Sequence, residues 1–214
     1  MFYRHICLML LLVLSLFGCQ SAYYSAMEKV GIHKRQILID RVEDTATSQE
    51  EAKQEFKDAL EQLSTLLTFD GGELQRQYEA SVEHYEVSQA AANKVSQRIN
   101  DVENVADALF DEWQNEIEQF TNKDFKRKSR ASLIQTKGKY VTVIKSMRNA
   151  EKRMFPILSA LKDNMLYLKH NLNAQAIGAL KGEYQSIKQD IKRLINDMNQ
   201  SIDHSQNFVK SLKV

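Results

Sequence analysis

The sequence has 214 residues, with 29 lysines and arginines against 28 aspartates and glutamates, so its formal net charge at pH 7 is +1. This length suits one ordinary domain. The balanced charge gives no electrostatic case for nucleic acid, which we therefore exclude as a partner.

The chain begins with an apolar segment that predicts export. The apolar run over residues 6–17 is shorter than the roughly 20 residues that a membrane-crossing helix needs, and it matches the core of a secretory signal peptide. The run ends at Gly18 and Cys19, and a small residue followed by cysteine resembles the lipobox of bacterial lipoproteins. The resemblance implies removal of residues 1–18 as a lipoprotein signal peptide, lipidation of Cys19 with palmitate-type chains, and a short tether over residues 19–26.

Lipidation would determine where the protein resides. Each buried methylene contributes about 0.8 kcal/mol, and roughly two acyl chains give stable anchoring in the membrane. Gln20 stands at the position where an aspartate tends to signal inner-membrane retention in such lipoproteins, so in a host with two membranes the resemblance favours the outer one, facing the periplasm. Cys7 leaves with the signal peptide, so the exported chain keeps no free thiol and thiol catalysis is excluded.

The exported chain is predicted to be all α-helical. Apolar residues recur at steps of three and four, and one proline and 7 glycines leave few interruptions. The pattern predicts an elongated, antiparallel up-down four-helix bundle with coiled-coil packing over residues 27–214. The helices are expected at about residues 27–67, 73–120, 126–170 and 174–212.

Two helical hairpins would form this bundle. In the first, residues that pair across the hairpin have numbers that sum to about 140, as Leu63 with Tyr78, which is the geometry of an antiparallel coiled coil. In the second the sum is about 345, as Leu161 with Tyr184. Residues beside these seams are expected to join the two hairpins: Val82, Val105, Phe110, Ile117, Val143, Leu166 and Ile195.

Three residues carry local signals at the helix ends and within a helix. Asp70, followed by Glu73 at the spacing of a capping box, is a predicted N-cap of the second helix. Asn173 is a predicted N-cap of the fourth helix. Pro156 is predicted to kink or locally open the third helix, because proline removes one backbone donor.

Four segments carry a family resemblance: YYSAMEKVG at residues 23–31, FDGG at 69–72, VADALFDEW at 105–113 and LKHNLNAQA at 168–176. They are similar to an uncharacterised bacterial family known as a domain of unknown function, DUF 2959. The resemblance spans most of the exported chain. It implies no activity, cofactor or site.

The sequence contains no recognisable catalytic constellation. Its exported histidines lack an acidic or histidine neighbour at metal-ligand spacing. Phosphate-binding loops, dinucleotide fingerprints and nucleophile elbows are also missing. We therefore expect no enzyme activity, no cofactor and no metal site.

A basic cluster lies in the predicted connection between the second and third helices. The pairing rule places it level with residue 20, beside the lipid headgroups, where a basic side chain contributes about 1 kcal/mol on an anionic surface. A hydrated loop with a charged helix start, without a binding role, is the alternative. The cluster consists of Lys123, Lys126, Arg127, Lys128 and Arg130.

The opposite end is a predicted partner-binding tip, held about 60 Å from the membrane by the length of the helices. Ordinary turns with local packing are the alternative. Gly178 and Gly182 lie just below this end at a spacing that can admit another backbone. The tip consists of Phe69, Asp70, His170, Asn171 and Asn173.

The favoured interpretation is a membrane-anchored periplasmic lipoprotein that acts without catalysis, as a scaffold, spacer or regulatory subunit of a cell-envelope assembly. Its partners would be the membrane, through the N-terminal lipid, and an unidentified envelope protein. Self-association as a homo-oligomer stays open. The alternative is a bundle that opens to bind a lipid or acyl chain, which adaptable methionines would favour: Met147, Met154, Met165 and Met198.

Overall fold

The computed structural model describes Tyr24, Met27 and residues 31–68 and 74–213. These residues form four long α-helices and, within the described ranges, no strand. The prediction of an all-α fold is thereby confirmed. The helices are α1 (Lys34–Thr68), α2 (Leu74–Gln119), α3 (Lys123–Lys169) and α4 (Ala174–Lys213).

The helices form a bundle in which each packs against two neighbours. Helix α1 contacts α2 and α4, and α3 contacts the same two helices from the other side. The ends of the first hairpin show its antiparallel course: Gln62 donates a hydrogen bond to Gln77 at 3.1 Å, and Lys34 pairs with Glu112 at 3.0 Å. Four long helices that pack against their neighbours in this way form the predicted up-down bundle, and each helix is about 50–70 Å long.

Coiled-coil periodicity predicts the register of the first hairpin to within about one helical turn. The contact of Gln62 with Gln77 and the ion pair of Asp44 with Arg98, at 3.4 Å, both fit the expected sum of residue numbers. All four helices contribute to one continuous core. Its largest fully buried side chains are Phe56, Leu38, Leu63, Leu66, Ile99, Ile117, Met147, Met154, Leu168, Ile191, Leu194 and Met198.

The residues beside the seams differ in burial. Val105, Phe110, Ile117 and Val143 are buried, and Val82 and Ile195 pack partly buried against the core. Leu166, by contrast, is 54% exposed, so its predicted role in joining the hairpins is wrong. The side chain lies on the outer surface of α3 because the facing positions of that turn, Met165 and Leu168, fill the core.

The first helix begins later than the apolar pattern predicts. Gly31 has a φ of +83°, and the N–H of Ile32 donates to the carbonyl of Met27 at 3.0 Å. A left-handed glycine with this bond forms a Schellman motif, which ends a helix. The prediction of one helix from residue 27 is therefore wrong at its start, and α1 begins only at Lys34.

Alanine substitutions at two glycines should have opposite effects on stability. We expect Gly31→Ala to lower the free energy of unfolding by about 1 kcal/mol, because a Cβ disfavours positive φ. Gly138 lies inside α3, and an added Cβ meets nothing within 4 Å there, so Gly138→Ala should raise that free energy by about 0.5–1 kcal/mol. Urea unfolding followed by circular dichroism measures both, and shifts of the same sign would contradict this account.

Candidate functional site

The basic cluster lies on a helix and not in a connection. The side chain of Asn122 accepts hydrogen bonds from the backbone N–H groups of Asp124, at 2.9 Å, and Phe125, at 3.2 Å. This N-cap starts α3 at Lys123, about three residues before the predicted start. The predicted start at about residue 126 is therefore late, and all five basic residues, Lys123, Lys126, Arg127, Lys128 and Arg130, occupy the first turns of α3.

Acidic side chains offset part of the charge of this cluster. Glu118, at the end of α2, accepts hydrogen bonds from Lys126 at 2.7 Å and Arg130 at 2.8 Å, and these bonds lower the pKa of its carboxyl group. Arg127 pairs with Asp124 at 2.9 Å. The net positive charge of the basic cluster is therefore smaller than the count of its basic residues alone predicts.

The turn between α3 and α4 uses most of its polar groups internally. Asn173 accepts a hydrogen bond from the N–H of Ala176 at 2.9 Å, which confirms it as the N-cap of α4. Asn171 donates from its side chain to the carbonyl of Tyr167 at 2.9 Å, and His170 forms the C-cap of α3.

Other predicted site residues are untested by these contacts. Phe69, Asp70 and Cys19 lie outside the described residues. Gly178 and Gly182 are exposed, and no heavy atom of the described chain lies within 4 Å of a Cβ added at either position.

The helices differ strongly in charge, which the net value of the whole chain conceals. Helix α3 has 13 lysines and arginines against 3 aspartates and glutamates, a net charge of +10. Helix α2 has 3 against 10, a net charge of −7. Helix α1 has 5 against 8, and α4 has 6 against 4. The first hairpin therefore carries a net charge of −10 and the second +12.

Ion pairs between the two hairpins follow this asymmetry. Arg148 of α3 is the centre of the largest group: it pairs with Glu103 of α2, donates to Asn100 at 2.6 Å, and pairs with Glu151 at 2.7 Å. The hydrogen bond to Glu103 is the main reason why the pKa of Arg148 is raised. In the ion pairs that join the hairpins within the described residues, the base comes from the second hairpin and the acid from the first: Lys126–Glu118, Arg130–Glu118, Arg148–Glu103 and Lys213–Glu43.

Helix α3 also carries most of the exposed apolar side chains of the described chain. Two others lie elsewhere, Val87 on α2 and Phe120 after its end. The sites predicted from the sequence do not include this surface, although its residues are readable as apolar positions outside the seam. The exposed members on α3 are Phe125, Ile134, Val141, Phe155, Leu166 and Tyr167.

A groove of about 830 Å³ lies where all four helices meet near the start of α1. Several polar side chains at its wall are bonded: Lys34 pairs with Glu112, and Arg35 donates to the carbonyl of Leu212. Trp113 donates from its indole N–H to the hydroxyl of Ser129 at 2.8 Å. These groups hold the helix ends together.

A second groove, of about 630 Å³, lies beside Pro156 between α3 and α4. Helix α3 continues through this proline. The groove is lined mainly by charged and polar residues, and Arg153 pairs with Asp197 across it.

Two kinds of feature are absent from the described residues. Among Tyr24, Met27, 31–68 and 74–213, no group of three or more histidine, cysteine, aspartate or glutamate residues is placed to hold a metal ion. In the same part of the chain, no helix combines the length and hydropathy needed to span a membrane.

Comparison with known proteins identifies a family but no activity. A model of the family described as "Protein of unknown function (DUF2959)" matches residues 23–212. No curated protein matches the sequence. The resemblance found in the sequence is therefore confirmed, and function has to be argued from this chain's own geometry.

Proposed function

The chain belongs to the DUF2959 family, whose description assigns no activity, and we propose that it is a lipid-anchored helical rod of the cell envelope. It acts without catalysis, as a scaffold, spacer or regulatory subunit, by presenting surfaces to other envelope components. The lipobox at Cys19 supports the anchor, and an outer-membrane position facing the periplasm is part of the same proposal.

The uncovered outer face of α3 is the observation that carries this proposal. Buried side chains fill the interior of the bundle. In its grooves, Lys34 pairs with Glu112 and Arg153 pairs with Asp197. Helix α3 instead leaves basic and apolar side chains exposed along its length. A protein with a filled interior and such a face is suited to act through surface contact.

The burial of the methionines favours contact over the holding of an acyl chain. Met147, Met154 and Met198 are fully buried among core side chains. An acyl chain would have to displace them, at the cost of close packing in the core. The grooves of about 830 and 630 Å³ lie at the surface and are lined largely by charged or polar groups.

A photo-crosslinking experiment in cells tests this proposal. A photoreactive residue at Asn171, which is exposed at the α3–α4 turn, should capture a defined envelope protein identified by mass spectrometry. Cys19→Ser should release the chain from the membrane fraction and abolish the adduct, because the rod loses its anchor.

Cys7→Ala is the matched control, since it removes the other cysteine and should leave both the membrane association and the adduct intact. The proposal fails if Asn171 captures no protein. It also fails if the Cys19→Ser chain is processed and attached to the membrane like the unchanged chain.

A further inference from the structure

We infer that the outer face of α3 is a docking surface for an anionic phospholipid membrane, so that the rod lies along the membrane instead of standing upright on it. This inference rests on the proposed membrane anchor, which would hold the rod beside such a surface. It names the partner of the face that carries the proposed function.

Four exposed apolar side chains lie in one stripe along α3. Ile134, Val141, Phe155 and Leu166 are 66%, 57%, 43% and 54% exposed. They follow one another at intervals of about two, four and three helical turns, which places them within a sector of roughly 60°. The stripe extends over about 48 Å. A flat surface can therefore contact all four side chains at once.

Basic side chains lie between and beside these apolar residues. Lys123, Lys145, Lys152 and Lys162 form no ion pair with any of the residues that the structure describes, and all four are exposed. Helical spacing places all four on the same half of α3 as the apolar stripe. On that half of α3, Glu151 pairs with Arg148 at 2.7 Å and Asp163 is the other acidic residue, while the helix as a whole carries a net charge of +10. Such a face is complementary to anionic headgroups.

A second copy of the chain fits this face less well than lipid does. The acidic first hairpin, with a net charge of −10, is complementary in charge. However, Val87 is the one large apolar side chain exposed on α1 and α2 in the described ranges. The apolar stripe of α3 would therefore face charged residues. Its side chains would find no apolar surface to pack against. At a membrane, the lysines reach the headgroups while the apolar side chains enter the boundary with the acyl chains.

Labelling of single cysteines tests the inference. Val141→Cys on α3 and Val87→Cys on α2 replace exposed valines on the two faces, and after lipidation of Cys19 each variant carries one free thiol. The lipidated proteins, labelled with an environment-sensitive fluorophore, are reconstituted onto vesicles of phosphatidylcholine alone or with roughly one third phosphatidylglycerol. Quenching by acrylamide, which is uncharged, reports access of water to each label.

We expect the label at position 141 to shift to the blue and to become several-fold less quenchable on the anionic vesicles only. High salt should reverse the change, because it screens the lysines from the headgroups. The label at position 87 should respond equally to both kinds of vesicle. Replacement of Lys145, Lys152 and Lys162 together by glutamine should abolish the protection. The thermal unfolding of the protein should stay unchanged, because all three positions are exposed.

Equal quenching of the label at position 141 on both kinds of vesicle would overturn the inference. Protection that depends on protein concentration in the absence of vesicles would identify a second copy as the occupant and would overturn it too. Failure of the anchor gives a different result: the chain would then not float with phosphatidylcholine vesicles, whereas docking of α3 would still appear on the anionic ones.

Discussion

Phe56→Ala is expected to lower the free energy of unfolding by about 3–5 kcal/mol. Phe56 lies in the middle of α1, is 0% exposed and is among the largest fully buried side chains. Truncation removes its apolar surface from the core and leaves a cavity that long, close-packed helices cannot close without moving apart. Urea unfolding followed by circular dichroism at 222 nm measures the loss.

Phe155→Ala is the matched control, because it removes the same atoms from a side chain that is 43% exposed on α3. We expect a change within about 0.5 kcal/mol. The comparison separates a phenylalanine that holds the bundle together from one that faces outward. If the two substitutions cost the same, Phe56 does not lie in the core or Phe155 does not lie on the surface.

The core could be predicted from the sequence with good accuracy. Steps of three and four along α1 lead from Val42 to Thr45 and Gln49, which are polar, and both are fully buried in the structure. Heptad spacing identified them because position on a helix face depends on periodicity and not on residue type. The same periodicity gave the register of the first hairpin, as the contact of Gln62 with Gln77 shows.

Helix ends were predicted less well, because they depend on single residues. Gly31 lies within the apolar pattern but adopts positive φ and ends the preceding helical segment. Asn122 caps α3 with its side chain and extends that helix back to Lys123, so that it includes the whole basic cluster. Both residue types are ordinary signals at helix ends, but neither alters the spacing of apolar residues.

The face of α3 could not be assigned from the sequence because it depends on the other helices. Leu166 follows the helical pattern as well as its buried neighbour Met165 does, and only the packing of α2 and α4 leaves it outside. The opposite charges of the hairpins are visible once the helix bounds are known. Summed over the four helices they leave only +2, and the whole chain carries +1, which is why composition indicated no charged partner.

A buried glutamine provides the second large prediction. Gln49 is 0% exposed, and neither its side-chain nitrogen nor its side-chain oxygen has a hydrogen-bond partner among the described residues. The hydroxyl of Ser201 on α4 is likewise buried and has no hydrogen-bond partner among the described residues. A buried polar group without a partner costs about 1–3 kcal/mol. Gln49→Met keeps the length of the side chain, so we expect the free energy of unfolding to rise by about 1–3 kcal/mol.

Gln62→Met is the control for this substitution, because Gln62 donates hydrogen bonds to the side chain and the backbone carbonyl of Gln77. Its replacement should lower the free energy of unfolding by about 1 kcal/mol, opposite in sign to the change at Gln49. A loss of stability for Gln49→Met would mean that the amide has partners in solution. A gain, together with broader amide signals in NMR spectra, would mean that the polar residue selects one register at the expense of stability, since an all-apolar seam tolerates helices sliding past one another.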